Sequence, residues 1–235
     1  LLKTIGAGAL VNGLVGCSSL STGDEGEKIA SKATADGTTS GTETDAPPSG
    51  GKRVAFGNCT SVLPGESDPQ RLTEDISENT TLGDDCSQYV VSGTIDVTGT
   101  TLTVTAGTEL VFEQNAGLKI ASDATLVAKG TCKRPILFTG EQETRGYWRG
   151  IYFDNTNRIE NELHYCVVGY GGGGNEFWNA KEHANVAVTN GSQLSIRHST
   201  IRNSAGYGYE VTQDSTLTAS ANSIVDNVLG ASVVT

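Results

Sequence analysis

The chain has 235 residues, enough for one domain with a real core plus flexible tails. Lys and Arg number 16 against 27 Asp and Glu, a formal net charge of -11, so the chain repels phosphate backbones and nucleic acid is a poor partner class. Glycine is abundant (30 residues) and Met is absent. The apolar residues fall in short runs and not at helical spacing, which points away from a helical protein and toward many short strands.

The chain opens Leu1-Leu2-Lys3, with no Met, and closes Ser232-Val233-Val234-Thr235 inside a strand-like run. The expectation is that both ends are truncated. Residues 4–16 are apolar but too short to span a bilayer, and they lead into Leu14-Val15-Gly16-Cys17. That tetrad resembles a bacterial or archaeal lipobox, in which small residues fit a signal peptidase cleft and the thiolate reaches a lipid donor. Residues 1–16 are therefore expected to be a signal peptide and Cys17 the lipidated N-terminus. Leu1-Leu2-Lys3 also looks like the tail of a twin-arginine export signal, which implies export in the folded state.

Residues 17–53 hold almost nothing apolar and end Pro47-Pro48-Ser49-Gly50-Gly51 before Lys52 and Arg53. Ordering backbone costs roughly 1–2 kcal/mol per residue, and no burial offsets it here. This stretch reads as a disordered tether between membrane and domain, and residues 54–88 as an N-terminal cap.

From residue 89 short apolar runs follow in close order. Among them are Tyr89-Val90-Val91, Thr94-Ile95-Asp96-Val97, Leu102-Thr103-Val104, Leu110-Val111-Phe112 and Ile136-Leu137-Phe138, with polar separators. Short strands with polar turns mean a β-sandwich, a β-barrel or a β-helix. Internal repetition favours the last. Ile201 and Ile224 are 23 apart, as are Leu194 and Leu217, while Asn203 and Gly206 recur 24 residues later as Asn227 and Gly230. Thr101-Leu102-Thr103-Val104 is echoed by Thr216-Leu217-Thr218-Ala219. Three short strands and three turns need about 23–24 residues per coil, and stacked coils bury an interior that one coil cannot. The expected fold for 89–235 is all-β, a right-handed parallel β-helix. The repeated Asn is expected to ladder from turn to turn, and the Gly to supply a positive φ at a corner.

Residues 89–235 resemble the right-handed parallel β-helix proteins of the pectate-lyase-like fold, in their cell-surface form. The resemblance rests on Gly107-Thr108-Glu109-Leu110-Val111-Phe112, Pro135-Ile136-Leu137-Phe138-Thr139, Gly146-Tyr147-Trp148-Arg149-Gly150-Ile151, the run Leu163 to Gly172, and Ser199-Thr200-Ile201-Arg202-Asn203-Ser204. It implies an architecture and not a chemistry, because this fold hosts lyases, hydrolases, adhesins and inert stalks.

Five cysteines need placing. Cys17 goes to lipid. Cys59 and Cys86 flank the entry to the first coil and are expected to pair, worth roughly 3.5 kcal/mol on the loop-entropy model. Cys132 and Cys166 either pair or leave Cys166 as a buried apolar thiol. None has the close Cys/His spacing of a zinc site, so no metal or cofactor is expected. His164, His183 and His198 are scattered and read as surface residues.

In calcium-dependent lyases of this fold, carboxylates cluster on adjacent coils beside a basic residue. The candidate acids here are Asp154, Glu160, Glu162, Asp214 and Asp226, and the candidate bases Arg149, Arg197 and Arg202. No Asp pair or Asp-x-x-x-Asp run occurs in the coils, so no catalytic residue is assigned. Residues 171–185 form an insertion, because Val168 to Ile201 spans 33 positions, about ten above the repeat. Its four glycines are expected to make it mobile. Its Phe177 and Trp178 either stack on a sugar ring or pack back onto the coil; Trp148 reads as packing.

The expected function is a membrane-anchored extracellular module for binding, adhesion or scaffolding, with membrane lipid and extracellular polysaccharide as partners. The alternative is a surface polysaccharide lyase or hydrolase whose site lies partly outside this sequence.

Overall fold

The computed structural model describes residues 69–234 apart from 84–87, 175–182 and 213. The expected signal peptide and tether, with Cys17, Cys59, Cys86, Phe177 and Trp178, lie outside the described residues.

Among the described residues nineteen short strands run in chain order, three to each complete coil. The first coil contributes β1 (Gln70–Leu72) and β2 (Thr80–Leu82), with Ile76 bridging between them to Val97. The second holds β3 (Gln88–Val91), β4 (Thr94–Thr98) and β5 (Thr101–Thr105). The third holds β6 (Glu109–Phe112), β7 (Gly117–Ala121) and β8 (Thr125–Lys129). The fourth holds β9 (Ile136–Gly140), β10 (Ile151–Asp154) and β11 (Glu162–His164). The fifth holds β12 (Cys166–Gly169), β13 (Ala184–Thr189) and β14 (Gln193–Arg197). The sixth holds β15 (Thr200–Arg202), β16 (Tyr207–Val211) and β17 (Thr216–Ser220), and β18 (Ser223–Val225) and β19 (Gly230–Val234) begin a seventh.

Every pairing joins equivalent strands of successive coils in parallel. Three sheets result. Sheet A runs β1-β3-β6-β9-β12-β15-β18, sheet B runs β4-β7-β10-β13-β16-β19, and sheet C runs β2-β5-β8-β11-β14-β17. This is the right-handed parallel β-helix expected from the repeats. The stack begins earlier than residue 89, because β1 already pairs with β3 and β2 with β5.

Strand alternation decides what enters the core. In β5 the sequence Thr-Leu-Thr-Val-Thr puts Leu102 and Val104 inside, fully buried, and its threonines outside. Register stacks such residues into columns: Tyr89, Leu110, Phe138, Val168, Ile201 and Ile224 line sheet A. Val97, Ile120, Phe153, Val188 and Val211 line sheet B. Trp148 is fully buried, stacks on Phe112 with centroids 4.0 Å apart, and donates its indole N–H to Gly169 O at 2.8 Å. It is a packing residue, as its sequence context suggested.

The repeat is 23 residues from β14 to β17 and from β15 to β18. Ile201 lies over Ile224 and Leu194 over Leu217. The 24-residue recurrence of Asn and Gly is therefore not a structural register. Arg202 pairs with Val225, so Asn203 stacks over Asp226, and Tyr207, not Gly206, pairs with Gly230. The side chain of Asn227 does not ladder to another Asn; it accepts from Ser204 N at 2.9 Å and donates to Ile201 O at 3.2 Å. Asn185 and Asn222 bridge neighbouring coils through backbone groups in the same way. Backbone groups stripped from a ladder at a corner need such partners, and an amide side chain offers a donor and an acceptor together.

Corners are made by single left-handed residues, mostly not glycine. Tyr165, His198 and Ala221 turn sheet C into sheet A with φ near 50°, and Tyr170, Asn203 and Asp226 turn A into B. At the tetraglycine start of the insertion, Gly173 serves close approach of the backbone. A Cβ on Gly173 would fall 2.1 Å from Gly146 O, and Gly172 N and Gly173 N donate to Arg149 O and Trp148 O.

Candidate functional site

The outer face of sheet C carries the strongest grouping of polar chemistry among the described residues. Alternation turns Thr103, Val127, Glu162 and Ser195 outward in one column. The next column is Thr105, Lys129, His164, Arg197 and Ser220, each on the coil after the last.

Glu162 joins these columns. Its carboxylate accepts from Arg197 Nη2 at 2.7 Å and lies 3.1 Å from Lys129 Nζ, so one acid ties three coils together. Burial raises its pKa, but the hydrogen bonds and charges of Arg197 and Lys129 outweigh that and hold it below the ordinary carboxylate range. His164 sits 3.9 Å from the same carboxylate. Burial depresses its pKa, Glu162 pulls it back up, and His198, Arg197 and Lys129 push it down again, for a net lowering.

At the corner beyond, three rings gather. Tyr165 and His198 stack with centroids 5.0 Å apart and planes 14° from parallel, and His164 leans on both at 4.6 and 5.5 Å. Tyr165 and His198 are successive left-handed corner residues, so the backbone turn itself places one ring over the other.

The opposite edge of sheet C opens into a cleft of about 410 Å³. Its floor is Thr101, Thr125 and Val127, and Asn79 and Thr100 form one side. The other side comes from the excursion between β10 and β11, through Arg158 and Glu160, with Asp123 below. The base of that excursion is fixed. Thr156 and Asn161 are fully buried; Asn161 accepts from Leu126 N at 2.8 Å, and Thr156 donates to Ala124 O and accepts from Asn161. Its tip, residues 157–160, is exposed.

Parallel strands in three sheets, side chains laddered coil on coil and one-residue corners define the domain type. Residues 74–176 match the family model of the pectate-lyase like beta helix domain. No curated protein and no solved structure matches the chain. The matched segment contains the whole cleft, Lys129, Glu162, His164 and Tyr165; Arg197 and His198 follow it.

The structure sorts the candidate residues from the sequence. Glu162 and Arg197 come together, and Glu160 lines the cleft from the excursion before β11. Asp154 faces outward on sheet B, paired with Lys119 at 3.0 Å, and Asp214 accepts from Thr212 Oγ1. Asp226 is a corner residue, and Arg149 Nε is used on Asn115 O. The candidate acids and bases thus do not converge on one point. Arg202 is half-buried against the Tyr170 ring, 6.0 Å from its centroid. His183 hydrogen-bonds Gly172 O at 2.7 Å. Cys132 is disulfide-bonded and Cys166 is a free, buried thiol, so these two do not pair. Burial pushes the Cys166 thiol far up, which makes it an inert core residue.

Lys129, Tyr165, Asp123 and Arg158 were missed by sequence reasoning. Lys129 ends an alternating strand, which marks it as outward, but its neighbours His164 and Arg197 lie 35 and 68 residues on. Irregular coil lengths hide that column from any fixed-period search.

Proposed function

We infer that this chain is an exported surface protein, held to the membrane by lipid on Cys17 and the 17–53 tether. Its β-helix binds polysaccharide on the outer face of sheet C without cleaving it. The observation that carries the reading is the continuity of that face. A hydroxyl and carboxylate cleft at one edge runs into the Lys129–Glu162–Arg197 bridge and the Tyr165/His198 ring stack at the other.

Each part suits a sugar polymer. Threonine hydroxyls donate to and accept from sugar hydroxyls, and carboxylates accept from them. Flat rings at the surface offer apolar faces to the C–H side of a pyranose. Lys129 and Arg197 are held by Glu162 while remaining roughly half exposed, with 59% and 47% of their side chains accessible. They keep donors for a ligand without paying the entropy of ordering. Phe177 and Trp178 are proposed as a second contact on the insertion.

The test is a glycan array on the full chain, followed by an assay for released reducing or unsaturated sugars. Binding without release is expected, with affinity reduced by Tyr165→Ala and by Arg197→Ala in folded protein. Loss of binding in a folded Trp178→Ala variant would add the insertion to the site. Turnover of any bound polysaccharide would replace this reading with that of a surface lyase or hydrolase.

A further inference from the structure

The cleft differs in chemistry from the rest of the face. Two carboxylates, Asp123 and Glu160, meet one cation there, Arg158. That guanidinium is already turned toward Asp123, with Nε donating to Asp123 O at 3.0 Å and lying 4.0 Å from Oδ1. The remaining lining is uncharged: the hydroxyls of Thr100, Thr101 and Thr125, the amide of Asn79, and Gly99 and Val127. Asn79 is fixed in place, because its Oδ1 accepts from Thr101 N and Thr100 Oγ1.

Between Arg158 and Glu160 stands Ile159, 76% accessible, the most exposed large hydrophobic residue among those described. An isolated exposed apolar residue is ordinary. This one is held up between two residues that line the cleft, on an excursion whose base is pinned by Thr156 and Asn161 to the backbone of the third coil and by Thr156 N to Ser192. The tip thus carries an apolar side chain beside a mostly polar cleft, on a base that is fixed in place.

We propose that this cleft binds an uncharged sugar unit of the polysaccharide, with Glu160 and Asp123 accepting from its hydroxyls, Arg158 donating, and Ile159 against its C–H face. The proposal rests on the polysaccharide-binding reading and assigns the ligand class at one edge of the face. The charge balance decides it. A uronate or sulfate ester here would bring its charge beside two carboxylates on a chain already at -11, with one partly committed guanidinium to offset it. A hydroxyl pair satisfies carboxylates without that repulsion.

The experiment titrates the full chain with gluco-, manno- and galacto-hexaose and with hexagalacturonic acid, by calorimetry, at 20 and 200 mM salt. One of the neutral hexaoses is expected to bind at least tenfold more tightly than hexagalacturonate. Ile159→Ser and Glu160→Ala are each expected to weaken it tenfold or more with unchanged melting, since both side chains are exposed. Tightest binding to hexagalacturonate, or a loss under threefold in both variants, overturns the cleft assignment while leaving polysaccharide binding intact. Failure of every glycan on the array to bind sinks both readings.

Discussion

Ile201 gives the most direct test of the stack. Its side chain has no accessible surface and lies in register between Val168 and Ile224. Ile201→Ala removes three carbons from a site closed above and below, so collapse into the cavity is limited. Truncations of this kind cost about 2–5 kcal/mol, and the upper half of that range is expected here. Total stability of a domain is about 5–15 kcal/mol, so the variant is measurable and still folded. Urea unfolding followed by circular dichroism reads the cost. Ile201→Asp places an unpaired charge in the core and should abolish the cooperative transition. A cost under about 1 kcal/mol for Ile201→Ala, or an unchanged melt for Ile201→Asp, would refute the column of stacked side chains.

Three other outcomes can be checked. Cys17→Ser should move the protein from the membrane fraction to the medium or leave an unprocessed precursor, since each lipid methylene contributes about 0.8 kcal/mol to anchoring; unchanged fractionation would remove the anchor from the proposal. Glu162→Gln should cost about 1 kcal/mol at pH 7, a small value because Lys129 and Arg197 are each more than a third exposed. The Glu162 carboxyl is held low in the folded chain, so its contribution is full above its ordinary pKa of 4.5 and disappears as pH falls through the folded value. The His164 imidazole, lowered from 6.5, should titrate lower still in Glu162→Gln by NMR, since Glu162 is the group that raises it; an upward move would contradict the contact. Finally, Cys166 should resist alkylation until the protein unfolds, and Cys132 should appear in a cross-linked peptide of a non-reducing digest. Rapid labelling of Cys166 in native protein would count against the packing described.

The sequence by itself determined the architecture, because strand alternation and coil spacing are local and periodic. Thr101-Leu102-Thr103-Val104 states which side chains go in, and the 23-residue intervals of Leu194/Leu217 and Ile201/Ile224 state that one coil lies on the next. It also misled where composition imitated period: Asn203 and Asn227 share a residue type but not a register, since hydrogen bonding between β15 and β18 fixes the step at 23. Among the four glycines, Gly173 is required for backbone contact with Gly146 and Trp148, a contact no local rule foretells. The candidate site was legible only in pieces. Glu160, Glu162, His164, Arg197 and His198 each stood out as chemistry-bearing residues, but coils three to five differ in length. Which cation faces which acid is therefore set by the accumulated offsets of several corners. Lys129 and Arg197 reach one carboxylate because parallel register places β8, β11 and β14 side by side. The cleft exists because buried Thr156 and Asn161 hold the tip of their excursion out over the third coil, and only the tertiary structure decides that.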